Sequence, residues 1–335
     1  MTSFAIVGAG VIGAHHAAIL SRLASLTAIV DVDTARAEQL ASAHGARPYP
    51  TLAAALGAAP IDAVVVCTPT GRHGPVAIEA LRAGKHVVLE KPAEITVERT
   101  DEIIRAQRDA GTLVTVISQH RFDPATERVL EAIGRGEFGR VTSGIASVDW
   151  WRAQSYYDSG DWRGTWALDG GGALMNQGVH TVDLLIAALG RPVEVFAWTG
   201  TLAHERIEVE DVAAGLVRFD SGALGVLHAT TSAYPGLSAR LQVHGDRGSA
   251  VIDNDELTYF GDAAVTATGA NTASQDPGRL SGAHHRQYLN FLGALAGTEP
   301  LRVDLATNRL AISVITGAYR SARTGRPVSL AGSAA

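Results

Sequence analysis

Glu90-Lys91-Pro92, Asn176 and His180 are the residues of this chain whose types best suit proton chemistry. Lys85 and Lys91 are the only lysines; every other long cationic side chain is an arginine. Lysine is a compact ammonium whose pKa follows its surroundings, so it handles protons where arginine cannot. Histidine titrates near neutrality and is the usual general base. An imidazole taking a hydroxyl proton, with an ammonium donating to the same oxygen, suits oxidation of a secondary alcohol, provided that a bound group accepts the hydride. Other chemistries find less support. No nucleophile elbow supports Ser-His-Asp hydrolysis. No His-Glu-x-x-His run, carboxylate cluster or histidine–cysteine spacing predicts a metal.

A hydride acceptor is predicted at the amino terminus. The apolar run Phe4-Ala5-Ile6-Val7 enters Gly8-Ala9-Gly10-Val11-Ile12-Gly13, and a helix follows from Ala14. This is the dinucleotide fingerprint in its strand–turn–helix setting. The first glycine makes the turn, the second lets backbone approach a pyrophosphate, and the third lets helix pack on strand. The helix N-terminus faces the anion with its unsatisfied N–H groups. A second strand, Leu26 to Val30, ends at Asp31, where a carboxylate binds ribose hydroxyls and repels a 2′-phosphate, which predicts NAD over NADP. Asp33 is placed to cap the next helix, Thr34 to His44.

Strands and helices go on alternating. Strands are expected at 62–67, 85–89 and 112–118, with helices at 73–83 and 97–110. That pattern predicts a doubly wound parallel sheet, in which ligands sit beyond the carboxyl ends of the strands. Gly8, Asp31, Thr68, Lys91 and Gln119 all fall at such ends. The predicted cofactor contacts are Gly8, Gly10, Val11, Ile12, Gly13, Asp31, Val32, Cys67, Thr68, Pro69, Thr70, His73, Glu90, Lys91, Pro92 and Gln119. A dinucleotide-binding domain over residues 1–120 and a second domain over 121–335 follow.

The second half changes rhythm. Asp123-Pro124 starts a helix to about Arg135. Closely spaced strands are expected at 141–151, 193–200, 212–219, 223–231, 239–244 and 249–252, split by turns such as Asp220-Ser221-Gly222. This predicts an α+β domain on a large, mostly antiparallel open sheet. An uncovered sheet face commonly buries itself against a second subunit, so a homo-oligomer is expected. Residues 260–282 read as a polar, Gly-rich loop, with closing helices at about 285–296 and 304–324.

Gly170-Gly171-Gly172 precedes a helix read as continuous from Ala173 to Leu189. At 100° per residue, Asn176, His180 and Asp183 share an arc of roughly 60°. Val179, Val182, Leu185, Ile186 and Leu189 take the opposite side. Before this helix, Trp150-Trp151-Arg152 through Tyr156-Tyr157 to Trp162-Arg163 concentrates aromatic rings and guanidinium groups in a chain of 6% aromatic residues. Such surfaces suit a sugar or cyclitol ring. Trp150 and Trp151 read equally well as strand packing. Lys91, His120, Arg121, Tyr156, Tyr157, Trp162, Arg163, Asn176 and His180 are the candidate substrate contacts. His15-His16 read as packing or capping residues. His284-His285 read as a helix start or as a lining of the site.

Bulk properties narrow the class. The chain has 335 residues, 46% hydrophobic and 19% charged residues, and a formal net charge of -6. No basic stripe supports nucleic acid as the partner. Cys67 is the single cysteine, which leaves no intramolecular disulfide. The amino terminus runs straight into a strand and no apolar run reaches membrane-spanning length, so the cytoplasm is expected.

The glycine fingerprint, Glu90-Lys91-Pro92, the Gly-Gly-Gly…His180-x-x-Asp183 segment and Tyr319-Arg320-Ser321-Ala322-Arg323 together resemble the Gfo/Idh/MocA oxidoreductases over nearly the whole chain. The resemblance implies a Rossmann domain plus an open-sheet α/β domain, paired in dimers or tetramers. It implies NAD(P)-dependent oxidation or reduction of sugars, inositols and related polyols. The family's lysine–aspartate–histidine triad maps onto Lys91, Asn176 and His180, with Asn176 standing where an aspartate is common. An NAD-assisted glycosidase of the same fold and a non-catalytic sugar or cofactor sensor are the alternatives.

Overall fold

The computed structural model describes residues 1–261, 263–264 and 277–330. Two units emerge from its contacts: Met1–Ile117 with His284–Asn308, and Ser118–Ala283 with Arg309–Ala335. A boundary at residue 120 alone would leave His284–Asn308 with the second unit. It belongs with the first because Tyr288 and Phe291 pack their rings on Phe4, and Leu305 joins the core around Val64 and Val66.

The first unit is a six-stranded, all-parallel sheet in the order β3-β2-β1-β4-β5-β6. The strands are β1 (Ser3–Val7), β2 (Ser25–Val30), β3 (Arg47–Tyr49), β4 (Ala63–Val66), β5 (His86–Leu89) and β6 (Val114–Val116). Between them run α1 (Val11–Leu23), α2 (Thr34–His44), α3 (Leu52–Ala58), α4 (His73–Arg82) and α5 (Val97–Ala110). Alternate strand residues point to opposite faces. Ala5, Val7, Val64 and Val66 pack with α3, α4 and α5, whereas Phe4, Ile6, Ala63 and Val65 pack with α1 and α2. The pattern-based reading finds five strands and passes over β3 and α3. Arg47-Pro48-Tyr49 is too short to show a period, and its proline is tolerated because β3 is an edge strand.

The second unit begins with α6 (Pro124–Gly134) and is dominated by a nine-stranded sheet. Its strands are β7 (Val141–Asp149), β8 (Pro192–Gly200), β9 (Val212–Phe219), β10 (Leu224–Thr230), β11 (Ala239–Gly245), β12 (Ser249–Asp253), β13 (Glu256–Gly261), β14 (Ala263–Ala264) and β15 (Val328–Ser329). They lie in the order β14-β13-β12-β11-β7-β10-β9-β8-β15, and only β7–β10 is a parallel pair. The short turn α7 (Gln154–Tyr157) and the helix α8 (Val179–Leu189) sit between β7 and β8.

One sheet face is covered: a Cβ at Gly144 or Gly225 would meet the Leu185 side chain of α8. The other face exposes Trp198, Leu216, Leu224 and Val226 on three neighbouring strands. The β13–β15 strands were not legible as strands because their side chains show little alternation or the strands are only two residues long.

Two expected helices differ. The segment 173–189 is not one regular helix. Ala173–Gln177 forms a wide π turn, and α8 begins at Val179, so the constant 100° step fails across Asn176. The remaining helices are α9 (Pro277–Leu295) and α10 (Leu305–Thr324). Residues 262 and 265–276 of the expected loop lie outside the described residues, and from Pro277 the chain is already helical. Among the described residues no helix is long and apolar enough to cross a membrane.

Candidate active site

In the first unit the glycine loop is set by backbone contacts. Gly8 has φ +106° and donates its N–H to Val30 O at 2.8 Å. A Cβ there would lie 2.5 Å from Cys67 O, and one at Gly13 would lie 1.9 Å from Gly8 O, so neither position admits a side chain. Gly10 has open space where a Cβ would stand, and no side chain caps α1. The first-turn N–H groups therefore remain available to an anion.

Asp31 closes this loop: Oδ2 accepts from Ala9 N–H at 2.7 Å, and Oδ1 from Asp33 N–H at 2.8 Å. Val11 and Val32 are 93% exposed beside it and Ile12 is 36% exposed, a bare apolar rim at a strand edge. Thr68 Oγ1 is buried without a hydrogen-bond partner. An orphaned hydroxyl, an uncapped helix end and open apolar side chains are what a dinucleotide would satisfy, so Gly8, Gly10, Val11, Ile12, Gly13, Asp31, Val32 and Thr68 fit that group. Pro69 and Thr70 continue the same β4 rim, with Thr70 buried. Cys67 is buried, and burial pushes its thiol pKa well up. His73 is buried, its ring nitrogens lying 2.9 Å from Pro92 O and 2.9 Å from Thr68 O. It braces the two strand-end rims from behind rather than presenting a free ring to a ligand.

Glu90, at the end of β5, is a buried carboxylate. Oε1 lies 2.8 Å from His16 Nε2 on α1 and 3.9 Å from His284 Nε2 on α9, and Oε2 accepts the Lys91 N–H at 3.0 Å. His16 Nδ1 is in turn 2.8 Å from the Tyr288 hydroxyl. Burial opposes the charged form, but the hydrogen bond and charge of His16, with the charges of His284 and Lys91, bring the Glu90 pKa down to about 2. His16 and His284 thus share one carboxylate, and His284 lies within α9 rather than at a helix start.

In the second unit a buried glutamate holds the Asn176 turn. Glu210 Oε2 accepts from Gly172 N–H at 2.9 Å, and Oε1 from Leu174 N–H at 2.8 Å and the Tyr319 hydroxyl at 2.9 Å. A Cβ at Gly172 would lie 1.8 Å from Glu210 O, which accounts for that glycine. Burial raises the Glu210 pKa to about 7, against those hydrogen bonds. Asn176 Nδ2 donates to Asp169 Oδ1 at 2.5 Å, and Asp169 Oδ2 accepts from Gly164 N–H at 2.9 Å. The carboxylate absent at position 176 is therefore present one hydrogen bond away.

His180, in the first turn of α8, has its Nε2 3.4 Å from Gln119 Nε2, and its ring meets the His120 ring edge-on at 4.9 Å between centroids. His120 Nδ1 lies 2.9 Å from both Asp123 Oδ2 and Asp255 Oδ1. Burial lowers its pKa, but these hydrogen bonds and charges outweigh that and raise it to about 10. Asp123 is thereby drawn to His120, and its side chain makes no cap to α6. Arg121 holds Asp183 through Nε at 2.6 Å and an Nη at 2.7 Å. Those guanidinium nitrogens are engaged by Asp183 rather than presented to substrate. The groups His16–Glu90–His284 and His120–Asp123–Asp255 each bring possible metal-ligand atoms within 4.8 Å. His16, Glu90 and His284 are far apart in sequence, and Asp255 is far from His120 and Asp123, so neither full group follows a local spacing rule.

The aromatic segment separates into two roles. Tyr157 is buried, its hydroxyl 2.8 Å from Thr231 Oγ1 and its ring against His204, and burial raises its pKa to about 12. It packs, contrary to the expected substrate role. Tyr156 keeps a half-buried ring, accepts from Gln177 Nε2 at 3.0 Å, and is flanked by Arg152 and Arg163, with Trp162 beneath Arg163.

One unit is a six-stranded parallel sheet of the nucleotide-binding kind, and the other is built on a nine-stranded open sheet. Residues 2–118 match the oxidoreductase family with an NAD-binding Rossmann fold, and residues 126–251 match the GFO/IDH/MocA C-terminal domain. The chain belongs to the Gfo/Idh/MocA family and is an NAD-binding oxidoreductase. It is 31% identical to inositol 2-dehydrogenase of Rhizobium meliloti over 258 residues, 75% of each chain. It is 26% identical to scyllo-inositol 2-dehydrogenase (NAD(+)) of Bacillus subtilis, over 97% of this chain and 95% of that one. The crystal structure of the WlbA dehydrogenase from Chromobacterium violaceum, in complex with NADH and UDP-GlcNAcA, superposes with a TM-score of 0.88 at 33% identity, covering 98% of this chain and 96% of that one.

The Glu90 geometry has a pH consequence. Its folded pKa is about 2 against an ordinary 4.5. A depressed carboxylate contributes stability that is complete above the higher value and is lost as pH falls through the lower. Denaturation midpoints are expected to fall between pH 4.5 and pH 2. Glu90→Gln should cost about 1–3 kcal/mol near neutrality and flatten that acid-side slope. An unchanged slope in the variant contradicts the assignment.

Proposed function

We propose that this protein moves hydride reversibly between NAD and a secondary alcohol or ketone of a sugar, inositol or related polyol, with His180 as acid/base, Lys91 assisting and Asn176 orienting the substrate. The observation that carries the reading is Lys91 itself. It follows β5 directly, on the carboxyl edge of the NAD-binding sheet, with its backbone N–H fixed by the buried Glu90 carboxylate.

NAD supplies the hydride acceptor or donor, and the residues of this chain do the rest. Glycine-loop N–H groups and the α1 N-terminus would hold a pyrophosphate, and Asp31 would receive ribose hydroxyls. Glu90 and Pro92 set the Lys91 backbone, and Gln119 orients His180. His180 takes the proton of the reacting hydroxyl in oxidation and returns it in reduction. Lys91 assists by stabilising charge that develops in the reaction. Asn176 donates to Asp169 while its carbonyl oxygen faces Gln177, so a fixed amide replaces a carboxylate there. Names of the relatives support inositols and sugars as substrates. A carboxylate at Asp31 supports NAD over NADP.

The same reading includes a homo-oligomer. Trp198, Leu216, Leu224 and Val226 leave an apolar stripe on the uncovered sheet face, and a second copy of this face is the occupant that fits a self-complementary contact.

Lys91→Ala should lower turnover by at least about a hundredfold while NAD affinity, read by fluorescence titration, stays within about threefold. Retained turnover contradicts the role. Asp31→Ala should lower the NAD-over-NADP ratio of kcat/KM by about tenfold or more, and an unaltered ratio removes the ribose contact. Leu216→Glu should shift the sedimentation coefficient to that of a monomer, and an unshifted assembly places the interface elsewhere.

A further inference from the structure

Arg152 and Arg163 stand out among the arginines of the second unit. Both bring their guanidinium carbons to one ring, Tyr156, at 5.2 Å and 4.4 Å from its centroid. Arg152 also lies 5.1 Å from the Trp150 ring, and Arg163 lies 4.4 Å from the Trp162 ring. Two like charges gathered on one tyrosine repel each other, and cation–π contacts return only about 0.5–2 kcal/mol each.

Some arginines elsewhere in this unit are answered by a carboxylate: Asp183 for Arg121, Asp158 for Arg206, Asp253 for Arg240. Among the described residues no carboxylate pairs with Arg152 or Arg163. Apart from the exposed Asp161, which pairs with neither arginine, the neighbouring acids are committed. Asp158 holds Arg206 and Gln154, Asp169 holds Asn176 and the Gly164 N–H, Glu208 holds the Trp166 N–H, and Asp211 holds His204 and the 202–204 backbone. Arg152 Nε is, moreover, buried without a hydrogen-bond partner. A buried donor left so is costly unless a ligand completes it.

We propose that Arg152 and Arg163 form a subsite for an anionic group, a carboxylate or a phosphoryl, carried by the sugar or polyol substrate. The subsite rests on the dehydrogenase reading for the word substrate, and on its own geometry for the word anionic. Guanidinium forks match either anion with paired N–H donors, which a neutral polyol cannot reciprocate.

The platform is rigid. Arg152 N–H donates to Thr231 O at 2.8 Å, and Arg152 O lies 2.8 Å from His204 Nε2. It also connects to the reacting end. An Arg152 Nη donates to Gln177 Oε1 at 3.3 Å, Gln177 Nε2 donates to the Tyr156 hydroxyl, and Gln177 is flanked by Asn176 and precedes His180 by three residues. An anion at the arginines thus anchors a ring whose hydroxyl lies toward Asn176 and His180.

The test compares D-glucose, D-glucuronate and D-glucose 6-phosphate. Turnover is followed by nicotinamide absorbance, and binding by calorimetry on Lys91→Ala protein saturated with NAD, which needs no turnover. At least one anion should be preferred over glucose. Arg163→Gln and Arg152→Gln should each cut that preference by about 10- to 100-fold, and Arg163→Lys by less. Circular dichroism checks folding, and the lysine variant keeps the test valid if a glutamine variant unfolds. Glucuronate preference alone assigns a sugar acid, and glucose 6-phosphate preference alone assigns a phosphorylated sugar. Glucose used as well as both anions, or a preference untouched by the variants, overturns the subsite while leaving the dehydrogenase reading standing. Arginine-dependent anion binding with no sugar oxidised by the unmodified protein supports the subsite and removes the dehydrogenase reading.

Discussion

A buried carboxylate, Glu90, ties the nucleotide-binding unit together. It joins three elements that sequence separates widely: α1 through His16, β5 through the Lys91 backbone, and α9 through His284. Burial alone would drive such a group neutral. Here its partners overcome that cost and keep it charged, with a pKa of about 2. The same contacts fix where α1 begins relative to the end of β5. The glycine loop and Lys91 are therefore set by one electrostatic arrangement rather than by two separate loops.

The second unit solves a similar problem differently. Its buried acid, Glu210, accepts two backbone N–H groups and a tyrosine hydroxyl at the entrance to the π turn that carries Asn176. Its pKa rises to about 7 because its hydrogen bonds do not fully offset burial. Fixed backbone donors and a glycine with no room for a side chain define the turn, and Asp169 then defines the amide.

Much of this was legible in the sequence. Gly8, Gly10 and Gly13 have a mechanical reason at each position, and Asp31 stands where the second strand must end. Alternating strands and helices gave the parallel sheet because apolar strand runs and amphipathic helices have distinct periods. What escaped were features built from distant residues or from broken periods. Arg47-Pro48-Tyr49 is too short to carry a pattern. The Ala173–Gln177 turn departs from the regular helical step. His16 read as a packing or capping residue, His284 as a helix start or a lining of the site, and Glu210 carried no signal, since only tertiary packing brings these residues to their partners. Arg121 read as a ligand contact until Asp183 was seen to hold it, and Tyr157 until Thr231 and His204 were seen to bury it.

Hydride transfer to bound NAD is most directly tested with inositols and aldoses that carry deuterium on their ring carbons. The protein is incubated with each and NAD, and the reduced cofactor is analysed by mass spectrometry. Recovery of one deuterium per turnover in the nicotinamide is the result expected. Deuterium released to water while the cofactor gains none, or label retained wholly in the carbohydrate, would contradict the account.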